Sequence, residues 1–413
     1  MHKKGEHGMK RFLAILTVLI MIFGGTAMGE FVNEDWYQSA LKDSEMRLGN
    51  NVRLIKLIER AKAGEHITIG TMGGSITEGA GASNYKECWA SRFALRFGNT
   101  YGVSNGKNVE LVNAGVGGTP STFGYMRFNR DINSRISAEE PDGYPDLVII
   151  EFAVNDWGEP SNHHCFESMV KEVLEYPNEP VVILLFSMRN DGWNLQADLR
   201  KIGDKYDLLM VSIPDGLFSH VRKEITQKDF FFDEYHPNST GHRMMADCLM
   251  QAIADAAAKE PDAADIDLDV WPAYGTDFMG LKTLYADEEV EGITVERGGF
   301  ASIDLNTYRN TPVGWVCGKN FFHDIKDPDE PLKVTGVFSK CLIAWKASAD
   351  AGFGAAEVYV DGKLAMTLRG GAGKWNQSEV VLPLNAREAA EHTILIKVTE
   401  KGKKFTITAI AVK

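Results

Sequence analysis

Between residues 66 and 258 the chain alternates two textures. Short, nearly continuous apolar runs recur: "HITIG" (66–70), "VELVNA" (109–114), "DLVIIEFA" (146–153), "VVILLFS" (181–187) and "LLMVSI" (208–213). Between and after them lie "CWASRFALRF", "YMRFNRDINSRI", "FESMVKEVLEY", "LQADLRKIGDKY" and "HRMMADCLMQAIADAAA", whose apolar residues fall near helical spacing. Strands that are apolar without alternation are buried on both faces. The pattern therefore predicts an α/β half with a five-stranded parallel sheet covered on both sides by helices. In such sheets ligands bind beyond the carboxyl ends of the strands.

After "KEPDAADIDLD" the texture changes. That Pro/Ala/Asp stretch reads as a linker. Beyond it come short strand-like runs: "GITVER", "CLIAWKAS", "AEVYVDGKLAMTL", "SEVVLPL", "HTILIKVTE" and "KFTITAIAV". In "VYVDGKLAM" the Asp-Gly pair suits a type I′ hairpin turn. This half predicts an all-β, jelly-roll-like sandwich, and the expected organisation is an α/β half over 30–262 with a β accessory half over 263–413.

Composition changes the picture at the N-terminus. "MKR" at 9–11 precedes the apolar run "FLAILTVLIMIF", and Ala27 and Gly29 stand at small-residue positions. This is the pattern of a signal peptide over 1–29, cut after Gly29, with an uncleaved anchor as the alternative. The expectation is a secreted protein. A net charge of −13 argues against nucleic acid or an anionic membrane surface as the main partner. Cys88, Cys165, Cys248, Cys317 and Cys341 are odd in number and widely spaced. They form neither a disulfide framework nor a zinc motif, and read as buried single thiols.

The chemistry gathers at the strand ends. "GTMGGSITEGAGAS" follows the first strand and seats Ser75 on a glycine-rich turn. It is not a phosphate loop, a dinucleotide fingerprint or a G-x-S-x-G elbow. A turn serine capping the next helix is the plain alternative. Other strand ends carry "NAGVGGTPS" and "AVNDWG", and "FFDEYHPNSTGH" precedes the last helix. Asp233 and His236 are three apart, close enough for the carboxylate to hold Nδ1–H and leave Nε2 free to accept a serine proton.

This ordered set resembles the SGNH (GDSL-type) hydrolases, serine esterases on a flavodoxin-like α/β/α sandwich. The resemblance spans about 66–258. It implies Ser75 as nucleophile, Asp233 and His236 as its catalytic partners, and Ser75, Gly118 and Asn155 as oxyanion-hole residues. Two positions depart from the family pattern: Gly74 replaces the aspartate of Gly-Asp-Ser, and Val154 replaces the glycine before Asn-Asp. The variant resembles a branch common in bacterial polysaccharide degradation, which implies removal of short acyl groups, acetyl above all, from plant cell-wall polysaccharide. No cofactor or metal is implied, and the implied partner is an acetylated poly- or oligosaccharide. A lipase or thioesterase for longer acyl chains and a non-catalytic carbohydrate-binding protein are the alternatives.

Other residues carry less. Trp157 and Tyr235 adjoin the catalytic blocks and are candidates to wall the substrate pocket, with core packing the alternative for Trp157. His163, His164 and Cys165 are adjacent and cannot face one metal from a helix. Met188, Arg189, Asn190 and Trp193 lie just past the fourth strand and read as loop packing, with a substrate loop the alternative. Trp315, Trp345 and Trp375 are either core or a sugar-stacking platform.

Overall fold

The computed structural model describes residues 33–136, 143–307 and 317–413. The expected signal peptide over 1–29 and Trp315 lie outside the described residues. The chain divides into one unit ending at Ser39 and a second comprising Ala40–Lys413. Helix α1 (Asp35–Asp43) opens the described part, and every later element belongs to the second unit.

The α/β half runs β1 (Glu45–Arg47), α2 (Val52–Ala63), β2 (Ile67–Gly73), α3 (Ser75–Glu78), α4 (Trp89–Tyr101), β3 (Val109–Gly115) and α5 (Ser121–Asp131). It continues with β4 (Leu147–Glu151), α6 (His164–Leu174), β5 (Val181–Phe186), α7 (Gln196–Lys205), β6 (Leu209–Ser212), α8 (Gln227–Phe230) and α9 (Ser239–Ala258). Its sheet has the order β1-β6-β5-β4-β2-β3. Strands β2 to β6 are parallel, as their hydrophobic runs predict. The expected five strands gain a sixth, β1, which pairs antiparallel with β6 at the edge. Only three residues long, "EMR" has no hydrophobic run to announce it.

Burial explains the strand pattern. Every residue of β2, β4, β5 and β6 is buried, because helices cover both faces. Helix α2 shows how those helices are built. Leu54, Leu57, Ile58 and Ala61 form its buried stripe, and Gly64 ends it at φ 89° with its N–H on the carbonyls of Ala61 and Arg60. Strand β2 lies between β3 and β4, where the direction of strand addition reverses. The carboxyl end of β2 is therefore the switch point at which a doubly wound sheet opens a crevice.

The all-β half is one continuous antiparallel sheet of eight strands. It contains β7 (Lys282–Leu284), β8 (Ile293–Glu296), β9 (Phe321–His323), β10 (Leu332–Ala347), β11 (Ala355–Val360), β12 (Lys363–Arg369), β13 (Gln377–Val398) and β14 (Phe405–Val412). The register of β10 against β13 shifts at Phe338/Lys340 and again at Cys341/Ile343. Such bulges bend long strands. Leu332 and Val334 before the bulges share a core with Ile343 and Trp345 after them, so the sheet folds over itself. The Asp361-Gly362 turn joining β11 and β12 has φ of 51° and 78°, as a type I′ turn demands.

The two halves are laced together. Asn51 exchanges two 2.9 Å hydrogen bonds with Asp262, and Arg53 pairs with Asp265 at 3.0 Å. The buried Glu167 carboxylate accepts the consecutive N–H groups of Ala273, Tyr274 and Gly275 at 2.6–2.9 Å. Phe278, Tyr285, Leu342 and Ala409 then join the same core as Met72, Tyr125 and Phe166. His164 is used here too: it contacts Asp277, which also pairs with Lys340 of β10 at 2.9 Å. Fully burying one side chain such as Phe278 is worth about 2 kcal/mol. Truncation after residue 262 should therefore lower the melting temperature by more than ~5 °C and cost ester hydrolysis with it. An unchanged melt with full activity would show the β half to be an independent appendage.

Candidate active site

Register builds the site. Gly73, the last residue of β2, lies opposite Gly115 on β3 and opposite Glu151 on β4. The three strands thus end at one level, and the turns carrying Ser75, Gly118 and Asn155 leave side by side. Ser75 opens α3, so its side chain emerges at the carboxyl end of the sheet and is half-buried. The Asn155 amide packs directly against the preceding Gly74: a Cβ there would fall 2.2 Å from Asn155 Oδ1, so a larger residue would require that amide to shift. The departure at position 74 thus accompanies close approach of the Asn155 amide to the serine turn.

The fourth element comes from the segment between α8 and α9. A bridge between Phe231 and Pro237 and the Phe232 N–H to His236 carbonyl bond of 2.8 Å close it into a tight loop. Asn238 then caps α9, its side chain accepting the N–H groups of Thr240 and Gly241. Within the loop, Asp233 Oδ1 accepts the N–H groups of Tyr235 and His236 at 2.8 and 2.9 Å. The His236 ring donates from Nδ1 to both oxygens of Asp233, at 2.8 and 2.9 Å. With the proton on Nδ1, Nε2 is an acceptor, and Ser75 Oγ donates to it at 2.9 Å. Burial works against the Asp233 charge, but the hydrogen bonds from His236 and the loop N–H groups outweigh it and hold this carboxyl below its ordinary value.

Side chains that the motif reading passed over hold these turns. Glu78, three residues after Ser75, accepts the Gly117 N–H at 2.8 Å and ties the Gly118 turn to α3. Asp156 is buried and accepts the Ser121 N–H at 2.7 Å, joining the Asn155 turn to the start of α5. Burial, then the charge of Glu159, pushes Asp156 up to about 8. Glu151 lies wholly buried beneath α3, where Thr77 Oγ1 donates to it at 3.0 Å and Ser187 Oγ donates from beyond β5. Burial pushes it up to about 7 against those two hydroxyls. His242 on α9 links the Ala80 carbonyl to the Trp89 N–H, and burial lowers it to about 4. One signal was available: Glu151 is a carboxylate inside the apolar run "DLVIIEFA".

The aromatic candidates separate. Trp345 is buried in the β core and forms no platform. Trp157 is 80% exposed, and Tyr235 is exposed beside His236, its ring 6.2 Å from the imidazole. Arg189 packs over Tyr235 at 5.0 Å and over Trp193 at 5.8 Å, while Met188 is buried. Trp375 comes from the β half and is 37% exposed. It lies so close over Gly118 that a Cβ there would meet its ring at 2.8 Å. Gly118 itself sits at φ 69°, where glycine is favoured. Among the described residues no group of His, Cys, Asp and Glu has the arrangement of a metal site, and the five cysteines are free and buried.

The titration of Glu151 has a definite sign. Its folded value is raised, so its stabilising contribution is full below about 4.5 and is lost as pH rises through about 7. Between pH 5 and 9 the wild type should lose on the order of 3 kcal/mol that Glu151→Gln does not lose. Thermal melts of both proteins across that range test this, and parallel curves would refute it.

Comparison with known proteins bears on this geometry. Residues 71–244 match the GDSL-like Lipase/Acylhydrolase family. No curated protein matches the chain in sequence. A solved two-domain esterase active on acetylated mannans is similar in fold over 90% of this chain and 98% of its own, at 23% identity and a TM-score of 0.76. A structure of such an esterase co-crystallised with mannopentaose is similar over 90% and 97%, with a TM-score of 0.74 and 23% identity. Both likenesses run through the α/β half and the all-β half together. The chain carries a GDSL-like lipase/acylhydrolase domain, and with it the framework of a carboxylic ester hydrolase.

Proposed function

We propose that the protein is a secreted serine esterase that removes acetyl groups from plant cell-wall polysaccharide. The observation that carries this reading is the unbroken hydrogen-bond chain from Ser75 through His236 to Asp233 at the carboxyl end of β2. An unassisted serine hydroxyl is a poor nucleophile, and this chain supplies the base it needs. Ser75 Oγ attacks the ester carbonyl as its proton passes to His236 Nε2, and Asp233 stabilises the imidazolium. The N–H groups of Ser75 and Gly118 and the Asn155 side-chain amide receive the oxyanion, each such donor contributing about 3 kcal/mol in the transition state. Collapse expels the sugar hydroxyl, which takes the proton back from His236. Water then attacks the acyl-enzyme with the same histidine as base, releasing acetate and free Ser75.

The polysaccharide substrate is supported by the fold shared with an esterase active on acetylated mannans. It is also supported by exposed aromatic faces near the catalytic chain, since Trp157, Tyr235 and Trp375 suit the apolar faces of sugar rings. Export rests on the leader at 1–29 and accords with a substrate outside the cell. The β half is a fixed part of the active-site mouth, through the shared core and Trp375.

Ser75→Ala should lower turnover of an aryl acetate by roughly four to six orders of magnitude with an unchanged melt. Near-wild-type turnover by a folded variant would remove Ser75 from the reaction. Acetate esters should also be cleaved with far higher kcat/KM than octanoate esters, because Trp375 and Tyr235 limit the space around the site. Equal or better rates on the long chain would favour a lipase.

A further inference from the structure

The loop that carries Trp375 is held by an arrangement that its fold alone does not require. Asn376 follows the tryptophan. Its side-chain amide donates to the Asn306 carbonyl at 3.0 Å and to Asn306 Oδ1 at 3.3 Å. Its Oδ1 accepts from Ser348 Oγ at 2.7 Å. The same Asn306 carbonyl accepts from Lys346 Nζ at 2.7 Å, and Lys346 is paired with Asp304 at 3.0 Å. Lys346 and Asp304 are both almost fully buried, with side-chain exposures of 2% and 8%. Asp304 is satisfied on its other sides by Thr406 Oγ1 at 2.7 Å and by the Asn306 N–H at 2.8 Å.

A buried ion pair rarely adds net stability compared with apolar residues of the same shape, because desolvation opposes the Coulomb attraction. What such a pair does supply is direction. Lys346 has three N–H donors, and one of them is committed to a backbone carbonyl that also anchors Asn376. Beside it, β10 and β13 are in register at Ala347 and Gln377, one residue beyond Asn376. The tryptophan loop is therefore held by a strand ladder on one side and by a polar chain on the other. At the far end of that chain the indole closes over Gly118.

We infer that Asp304, Lys346, Asn306 and Asn376 form a positioning relay: they hold Trp375 over the Gly118 turn and so set how the enzyme accepts a sugar-borne ester, without touching the reacting atoms. The relay rests on the esterase reading of Ser75 and on a carbohydrate substrate. It makes a residue buried inside the β half a determinant of specificity in the α/β half. A small aryl ester has no sugar to place against the indole, so the relay is nearly silent for it.

The test is steady-state kinetics on full-length protein with two substrates: 4-nitrophenyl acetate, and whichever acetylated oligosaccharide of the mannan, xylan and pectin series is cleaved best. Asn376→Ala, a half-buried position, should lower kcat/KM on the oligosaccharide roughly tenfold, mainly through KM, with aryl acetate changed less than about twofold. Lys346→Met combined with Asp304→Asn should do the same, with thermal melts confirming the fold. In a Trp375→Ala background, itself impaired on the oligosaccharide, Asn376→Ala should have no further effect on that substrate. Equal losses on both substrates with a lowered melt would show a merely structural role and overturn the relay. Additive losses in the Trp375→Ala background would overturn it as well, as would no loss at all. Failure of the underlying reading looks different: Ser75→Ala would retain aryl-ester turnover, or wild type would release acetate from no oligosaccharide.

Discussion

Gly73 is where the sheet and the site meet, and little around it tolerates change. It is hydrogen-bonded in register with Gly115 on one side and Glu151 on the other. A Cβ at this position would lie 2.1 Å from Thr77 Oγ1 and 2.5 Å from the Glu151 carbonyl. Only a bare backbone lets α3 turn back tightly onto the strand it follows. That tightness brings the serine turn against the Asn155 amide on one side. On the other it lies along the Gly117–Gly118 turn, where a Cβ on Gly117 would be 3.3 Å from Ser75 Cβ. Close packing of the three turns at the aligned strand ends depends on this steric constraint, and the His236 loop then meets them from outside the sheet.

Carboxylates buried beneath the turns do what apolar side chains cannot. Turn backbones point N–H groups inward, and an unmet N–H in a dry interior costs more than a made hydrogen bond gains. Asp156 and Glu78 accept such groups, while Glu151 accepts hydroxyls from α3 and from beyond β5. Burial raises Glu151 and Asp156 toward neutrality, so the scaffold is stiffened by groups held close to uncharged. Asp233 is the contrast. It sits near the surface, collects donors, and stays ionised opposite His236. Two environments thus sort the acids into buried structural acceptors and an ionised partner for the His236 ring.

What the sequence made legible followed the demands of chemistry and of burial on both faces. Five apolar runs became five parallel strands because a two-sided burial leaves no room for polar alternation. Ser75, Asp233 and His236 could be picked out as candidates because few residue types can fill those parts, and the fold brings the three within hydrogen-bond distance. The rest lacked a local signal. Glu78 and Asp156 look like surface acids until the fold turns them under a loop. The Asp-rich stretch near 261–269 reads as a linker, and nothing in it announces that Asp262 and Asp265 meet Asn51 and Arg53 far away in the chain. The middle of β13, "NAREAAEH", reads as a connection between two strands. In the fold much of it pairs with β10 while its side chains face outward, so its backbone is a ladder with no apolar face to mark it.

Contact between Trp375 and Gly118 is the most distant of these relations in sequence and the one with the widest consequence. A binding module on a loose tether raises local substrate concentration but places nothing to within an ångström. A wall built into the same hydrophobic core as the catalytic sheet places its aromatic face before substrate arrives, so little ordering remains at the moment of binding. Specificity and stability then share residues. The core that joins Phe278 and Leu342 to Tyr125 and Phe166 keeps the β half from drifting, and the polar chain behind Asn376 keeps the indole from turning.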